Sequence, residues 1–126
     1  MSKVLLIDDN ATVTSLYGAA LRNAGHTVEV AHDGEAGLAA VLQFQPDVVL
    51  LDLAMPKSNG LEVLANIRSN PTVAEVPVIV FSNTYTNDRL PEIWSAGATQ
   101  VLSKASSSPK QILEAVRTSI AARKPQ

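Results

Sequence analysis

Short apolar runs alternate with helix-length segments along this chain of 126 residues. Lys3–Ile7 (KVLLI) and Asp47–Leu51 (DVVLL) show no polar alternation, as expected for strands that are buried on both faces. Thr27–Val30, Val76–Phe81 and Gln100–Leu102 are predicted to form three more strands. Strands that alternate with helices through short loops predict a parallel sheet with helices on both of its faces.

The segments between the strands carry helix signals. Asp33 is the expected N-cap of a second helix that runs to about Phe44, and the third helix covers Gly60–Arg68. In the last helix, Ser108 and Gln111 are expected to form a capping box. The first helix has a predicted apolar stripe that consists of Val13, Leu16, Tyr17, Ala20 and Leu21.

The fourth helix is predicted to be short. It ends at Gly97, and Pro91 falls in its first turn, where a missing N–H costs least. We expect Trp94, the single tryptophan, to pack in the core rather than to form an exposed contact, because single aromatic residues on short helices are usually packing residues.

The order of elements predicts an α/β fold. We expect a single (βα)5 flavodoxin-like three-layer sandwich with a parallel five-stranded sheet in the order 2-1-3-4-5. A chain of this length, with 46% hydrophobic residues, suits one domain over residues 1–126 with a core over about 3–123. No output domain is expected after the fifth helix.

The composition argues against several classes of function. A formal net charge of -2 gives no sign of a nucleic-acid surface, and the absence of cysteine excludes thiol catalysis and cysteine-based zinc sites. The apolar run Val4–Ile7 is too short for a signal peptide or a membrane span, so a cytoplasmic protein is the default expectation. Gly34 and Gly37 do not complete a dinucleotide fingerprint, and the sequence contains no P-loop.

Polar residues follow four of the five predicted strands. In an open parallel sheet, ligands bind beyond the carboxyl ends of the strands, at the switch point between strands 1 and 3. We therefore expect these polar side chains to converge in space. They are Asp8 and Asp9 after strand 1, Asp52 after strand 3, Ser82 and Asn83 after strand 4, and Ser103 and Lys104 after strand 5.

Three carboxylates in one small pocket need a cation or protons to stay together. Oxygen ligands without histidine or cysteine favour Mg²⁺ over zinc, and Mg²⁺ usually binds through one or two carboxylates and a phosphate. Lys104 adds a mobile positive charge and Ser82 adds a short hydroxyl donor. This set suits transfer of a phosphoryl group to an aspartate.

The motifs around these residues stand in a recognisable order. LLIDDN occupies Leu5–Asn10, MPKSNG occupies Met55–Gly60, and the Asp52 strand, Ser82 and Lys104 complete the pattern. The combination resembles the receiver domain of bacterial two-component response regulators, from Lys3 to about Arg123. Each motif alone is weak, but the combination in this order is highly specific.

The resemblance implies a role for each acidic residue. Asp52 would be the phosphoacceptor and would attack the phosphorus of a phosphohistidine on a histidine kinase or a histidine phosphotransfer protein. Asp9 and Asp52 would ligate Mg²⁺ directly, together with the backbone carbonyl of Ala54. Asp8 would act on the metal directly or through water.

The resemblance also implies a switch rather than a metabolic enzyme. Lys104 and Ser82 would hold the phosphoryl oxygens, and loss of the phosphoryl group to water would reset the protein. Chemistry is then limited to self-phosphotransfer and autodephosphorylation. The output would be contact with a downstream protein, through the face formed by helix 4, strand 5 and helix 5, without nucleic acid or membrane.

The sequence departs from the family pattern beside Lys104. The family usually has proline in a cis peptide bond after this lysine, whereas here the residue is Ala105. A cis bond before a residue other than proline costs roughly 2.5–4 kcal/mol, so either the bond is trans and the loop differs, or the fold holds it cis. Three residues before the lysine, Val101 stands where the family often has a switching aromatic residue.

Two alternatives to the phosphorylated receiver remain. One is a receiver-like interaction domain that has lost normal phospho-switching, which Val101 and Ala105 favour and the intact acidic residues oppose. The other is a phosphatase of the haloacid dehalogenase type, which carries a second aspartate two residues after the nucleophile, where this chain has Ala54. In the family, the positions of Ala54 and Thr84 influence how fast the phosphoryl group is gained and lost.

Other residues have simple structural interpretations. Lys104 taken alone would be a solvated lysine, and Asn59–Gly60 is a turn signal. His26 and His32 are expected at the surface on either side of strand 2, where two histidines without further partners make a poor metal site.

Overall fold

The computed structural model describes residues 2–55, 58–82, 89–105 and 107–123. The sequence features at Pro56, Lys57, Asn83 and Thr84 lie outside the described residues. The strands are β1 (Lys3–Ile7), β2 (Thr27–Ala31), β3 (Val48–Leu51), β4 (Val78–Phe81) and β5 (Gln100–Leu102). The helices are α1 (Ala11–Asn23), α2 (Gly34–Phe44), α3 (Gly60–Ser69), α4 (Leu90–Ser95) and α5 (Pro109–Arg123).

The five strands form one parallel sheet in the order β2-β1-β3-β4-β5, as the sequence predicts. The register aligns the last residues of neighbouring strands: Ile7 pairs with Leu51, which itself pairs with Val80. Phe81 pairs with Leu102 on the outer edge. The residues that follow β1, β3, β4 and β5 therefore leave the sheet at one edge.

The core has two layers because alternate residues of a strand point to opposite faces of the sheet. On one face, Val4 and Leu6 of β1 pack with α1 and α5. On the other face, Leu5 and Ile7 pack with α2, α3 and α4. The predicted three-layer sandwich is confirmed. Within the described ranges, no helix is both long and apolar enough to cross a membrane.

Side chains cap several helices, and the caps at Asp33 and at Ser108 and Gln111 are those that the sequence predicts. The side chain of Asn10 accepts from the N–H of Val13, and that of Asp33 accepts from the N–H of Ala36 at 2.7 Å. Ser108 and Gln111 form a reciprocal capping box: the N–H of Ser108 donates to the Gln111 side chain at 2.7 Å, and the N–H of Gln111 donates to Ser108 Oγ at 3.3 Å. These caps satisfy N–H groups that the helices themselves leave open.

Two side chains depart from the predicted burial. Leu16, placed in the apolar stripe of α1, is 54% exposed, and Trp94, expected in the core, is 47% exposed. Six residues form α4, and its buried side chain is the neighbouring Ile93, so the tryptophan faces outward. The structure also contains a hairpin that the sequence did not predict, in which Ala54–Met55 pairs with Ser58–Asn59.

Three strand boundaries shift by one or two residues. β2 continues to Ala31, β3 begins at Val48 rather than Asp47, and β4 begins at Val78 rather than Val76. Asp47 still donates its N–H to the carbonyl oxygen of Lys3 at 2.8 Å, so the backbone pairing with β1 begins one residue before the assigned start of β3.

Acidification should destabilise the domain through His26. Its Nδ1 is buried without a hydrogen-bond partner among the described residues, and burial lowers the pKa of the ring below the ordinary 6.5. The unfolded chain therefore binds the proton more readily, so the free energy of unfolding falls as the pH drops through 6.5 and levels off below the folded pKa. Chemical denaturation between about pH 8 and pH 5 should show a steeper loss for wild type than for His26→Asn. Parallel curves would contradict this role of His26.

Candidate functional site

Asp8 and Asp52 leave the sheet from adjacent strands and are held there by continued backbone hydrogen bonds. The N–H of Asp52 donates to the carbonyl oxygen of Ile7 at 2.9 Å, and the N–H of Asp8 donates to that of Ala31 at 3.0 Å. Only 4% of Asp8 and 6% of Asp52 are exposed. Ser82 follows β4 with no exposed surface, and its N–H donates to the carbonyl oxygen of Leu102 at 3.1 Å. Asp8 and Asp52 thus lie at one edge of the sheet, as predicted, and the backbone of Ser82 leaves the sheet at the same edge. Asn83, which was expected there too, lies outside the described residues.

Lys104 reaches both buried carboxylates. Its Nζ lies 2.5 Å from Oδ2 of Asp8 and 3.4 Å from Oδ2 of Asp52, and its side chain is mostly buried. The same Nζ lies 5.9 Å from the centre of the Phe81 ring, whose π-face attracts a cation. Lys104 is therefore a component of the site rather than a solvated surface lysine.

The cluster is acidic: one carboxylate oxygen from each of Asp8, Asp9 and Asp52 lies within 4.8 Å of the other two. Asp9 is exposed, so the cluster opens to solvent on one side. Against the single ammonium group of Lys104, three carboxylates leave a formal excess of two negative charges. Hard oxygen donors with this excess charge fit a divalent cation such as Mg²⁺.

Burial raises the pKa of the Asp8 carboxyl above its usual 3.8. The charge of Asp52 acts in the same direction, whereas the hydrogen bonds from Lys104 and from the N–H of Asn10 oppose the rise. The ionised carboxylate at this position thus costs the folded protein free energy. A site that keeps such a charge in place is a candidate for function.

The structure also shows where the residues that depart from the family pattern lie. Ala54 lies in the hairpin, where it pairs with Asn59. Val101, in β5, is half-buried and packs against the core under α2, α3 and α4. No peptide bond among the described residues is cis, so the bond between Lys104 and Ala105 is trans rather than cis.

Gly60 contributes to the site in a way that the sequence interpretation missed. A Cβ at this position would lie 2.5 Å from Cα of Leu53 and 2.7 Å from the carbonyl oxygen of Asp52. Its N–H donates to the carbonyl oxygen of Leu53 at 3.1 Å. The Asn59–Gly60 pair signals a turn, but only the fold shows that α3 begins against the backbone of Asp52.

His32 is a second residue that the sequence interpretation left out of the site. It is exposed, as expected, but its Nδ1 lies 3.1 Å from the backbone carbonyl oxygen of Asp8. A ring that carries its proton on Nδ1 would donate to this oxygen. The position of His32 directly after β2, at the same edge of the sheet, is the signal that could have identified it.

Neutralising Asp8 should stabilise the domain. Asparagine has nearly the same shape and can still accept from the N–H of Asn10, so Asp8→Asn should raise the free energy of unfolding at neutral pH by roughly 0.5–2 kcal/mol. Because the folded pKa is raised, the cost of the charge is present above that pKa and disappears as the pH falls towards 3.8, so the gain should shrink on acidification. Denaturant unfolding in a chelator measures both effects.

Asp9→Asn is the matched control for this prediction. It removes a charge from the next residue, whose carboxylate is exposed to water rather than buried. Its effect on the free energy of unfolding should be smaller than that of Asp8→Asn. Destabilisation by Asp8→Asn at neutral pH would instead show that the ion pair with Lys104 contributes net stability.

Comparison with known proteins identifies the family to which this geometry belongs. The profile of the response regulator receiver domain matches residues 4–117. The chain is 32% identical to PilH of Pseudomonas aeruginosa over 106 residues, which cover 82% of this chain and 86% of PilH. It superposes on the chemotaxis protein CheY4 of Vibrio cholerae with a TM-score of 0.88 and 28% identity, over 94% of this chain and 98% of that one.

Longer regulators match over part of their length. The DNA-binding dual master transcriptional regulator RpaA of Synechocystis sp. is 37% identical over 82 residues, which are 65% of this chain and 34% of RpaA. The chain thus spans about a third of the length of that relative. The family profile includes every residue of the acidic cluster and Lys104. The chain belongs to the response regulator receiver domain family.

Proposed function

We propose that this chain is a phosphorelay receiver that accepts a phosphoryl group on Asp52 in the presence of Mg²⁺. The observation that carries the proposal is the buried Asp52 carboxylate, which lies between two further acidic residues and the ammonium group of Lys104. Family membership supports phosphorelay signalling, and a histidine kinase or histidine phosphotransfer protein is the donor that we propose.

The proposed step is a displacement at phosphorus. An oxygen of Asp52 attacks the phosphoryl group of a phosphohistidine, an O–P bond forms, the N–P bond breaks, and the histidine nitrogen keeps the electron pair and takes up a proton. The Nζ of Lys104, 3.4 Å from Asp52, is in position to pair with a phosphoryl oxygen as charge develops there. The hydroxyl of Ser82 is the proposed second donor.

A bound Mg²⁺ would neutralise phosphoryl oxygens, with Asp8, Asp9, Asp52 and the backbone carbonyl of Ala54 as its proposed ligands. The excess negative charge of the cluster supports this assignment. Attack of water on the aspartyl phosphate would release phosphate and restore Asp52. We therefore propose a switch that turns over its own phosphoryl group and not an enzyme that acts on a further substrate.

The proposed output is contact with a downstream protein through the face of α4, β5 and α5. Exposed Trp94 on α4 supports this face, because aromatic residues are enriched in protein interfaces. A cytoplasmic location is part of the proposal. DNA binding is not, since the formal charge of this chain, -2, gives no sign of a nucleic-acid surface.

Incubation with Mg²⁺ and acetyl phosphate should add one phosphoryl group to the protein. The adduct should be absent from Asp52→Asn, because the amide is a poor nucleophile and the acceptor oxygen is lost. Intact-mass spectrometry measures the adduct. Asp33→Asn is the matched control, since it removes one aspartate while asparagine still caps α2, and it should be phosphorylated like wild type.

Two results would contradict the proposal. An adduct that persists in Asp52→Asn would place the phosphoryl group elsewhere. No adduct in wild type, either from acetyl phosphate or from a phosphorylated histidine phosphotransfer protein, would favour the receiver-like interaction domain.

Gly60→Ala should impair the site without changing any of its polar groups. The added methyl group would overlap the backbone of Asp52 and Leu53, and we expect it to lower the free energy of unfolding by roughly 1–3 kcal/mol and to slow formation of the adduct. Denaturant unfolding and time-resolved intact mass measure the two effects.

Gly18→Ala is the control for this change. Its Cβ would meet no atom closer than 3.5 Å in the middle of α1, so it should stabilise the domain by about 0.5–1 kcal/mol and leave phosphorylation unchanged. Equal behaviour of the two variants would show that the contact of Gly60 does not position Asp52.

A further inference from the structure

Arg68 joins the end of α3 to two other backbone segments through its side chain. It lies near the end of α3 and is half-buried. Its Nε and Nη2 donate to the carbonyl oxygen of Gly97 at 3.0 and 2.7 Å, and its Nη1 donates to those of Ala74 and Val76 at 3.0 and 2.6 Å. A guanidinium group is suited to this arrangement because it presents several donors in one rigid plane.

Gly97 fits the Arg68 side chain closely. It ends α4 with a φ of 109°, and its N–H donates to the carbonyl oxygen of Trp94 at 3.0 Å. A Cβ on Gly97 would lie 2.7 Å from Nε of Arg68, so this approach requires glycine. The side chain of Arg68 is therefore in direct contact with the backbone at the C-terminal end of α4.

The helix that Arg68 contacts in this way is short. Six residues form α4, Ile93 is its buried side chain, and no side chain caps its N-terminus. A helix of this length is not stable on its own in water. Its position therefore depends on contacts with the rest of the domain, which are the packing of Ile93, Leu90 and Ala96 against the core and the hydrogen bonds from Arg68 to Gly97.

The other end of α3 lies against the phosphoacceptor. Gly60, the first residue of α3, contacts the backbone of Asp52 and Leu53 so closely that a Cβ would lie 2.7 Å from the Asp52 carbonyl oxygen. The ten residues of α3 span about 15 Å at 1.5 Å per residue. A single rigid helix thus has the Asp52 backbone at its first residue and the α4 contact at its end.

We propose that α3 and Arg68 form a link that carries the phosphorylation state of Asp52 to the C-terminal end of α4. The inference rests on the proposed function, because it needs a phosphoryl group on Asp52. A shift of the Asp52–Leu53 backbone displaces the first turn of α3, and Arg68 transmits the displacement to Gly97. Arg68 is a positioning residue in this scheme, and the route does not require an aromatic residue at Val101.

Trp94 is a fluorescent reporter for a change at α4. It is the single tryptophan of the chain, it lies on α4 three residues before Gly97, and it is largely exposed. Its fluorescence therefore reports on the surroundings of α4 alone. Intact mass reports the phosphoryl group on the same sample, so chemistry and response are measured separately.

The test compares wild type with Arg68→Lys under Mg²⁺ and acetyl phosphate. Lysine keeps the charge but cannot bridge three carbonyl oxygens with one rigid plane. We expect the same amount of adduct in both proteins, a change in Trp94 emission in wild type, and loss of that change in Arg68→Lys. Arg22→Lys is the matched control, because Arg22 also donates to a backbone carbonyl oxygen, that of Val28, but lies on α1.

A second measurement needs no variant. Amide hydrogen exchange of wild type, with and without acetyl phosphate, should change at Gly97 and Ala98, whose N–H groups donate to the carbonyl oxygens of Trp94 and Ile93. The turn at Gly25, between α1 and β2, should not change. This comparison remains decisive if Arg68→Lys does not fold.

The outcomes separate the link from the function on which it rests. Lack of adduct in wild type contradicts the phosphorelay function and, with it, the link. An adduct in wild type without any change at Trp94 or in exchange at Gly97 overturns the link alone. So does a full emission change in phosphorylated Arg68→Lys. Loss of the response in Arg68→Lys but not in Arg22→Lys supports it.

Discussion

Two carboxylates, Asp8 and Asp52, are buried side by side at the carboxyl edge of the sheet and share one lysine. Burial, together with the nearby charge of Asp52, opposes the ionised form of Asp8 and raises the pKa of its carboxyl. Lys104 compensates only in part, because Asp9 adds a third carboxylate. The fold therefore carries an electrostatic cost at this edge, and a divalent cation and a phosphoryl group are the ligands that would relieve it.

The backbone around Asp52 makes this arrangement possible. β3 carries Asp52 to the edge beside β1, and the close contact at Gly60 starts α3 against the same peptide group. Arg68 holds the far end of that helix to Gly97 at the end of α4. The site and the outer face of the domain are thus connected by close contacts at both ends of one helix, a backbone contact at Gly60 and a side-chain contact at Arg68.

Much of this could be predicted because it depends on local patterns. Unbroken apolar runs indicate parallel strands, and polar residues directly after them indicate the edge where a site forms, so the sequence predicts that Asp8, Asp52, Ser82 and Lys104 lie at that edge. The exposure of Trp94 could not be predicted, because periodicity on a six-residue helix does not decide which side chain faces the core. The roles of Gly60 and Arg68 depend on contacts between segments that are far apart in the chain. A single sequence carries no signal for such contacts.

The dependence of phosphorylation on Mg²⁺ tests the central claim most directly. The rate of phosphoryl incorporation at Asp52, followed by peptide mapping over a range of Mg²⁺ concentrations, should rise from near zero in a chelator to a plateau. Such saturation would show that the acidic cluster acts as one metal-assisted acceptor site. Incorporation at the same rate in the chelator, or at a residue other than Asp52, would contradict the account.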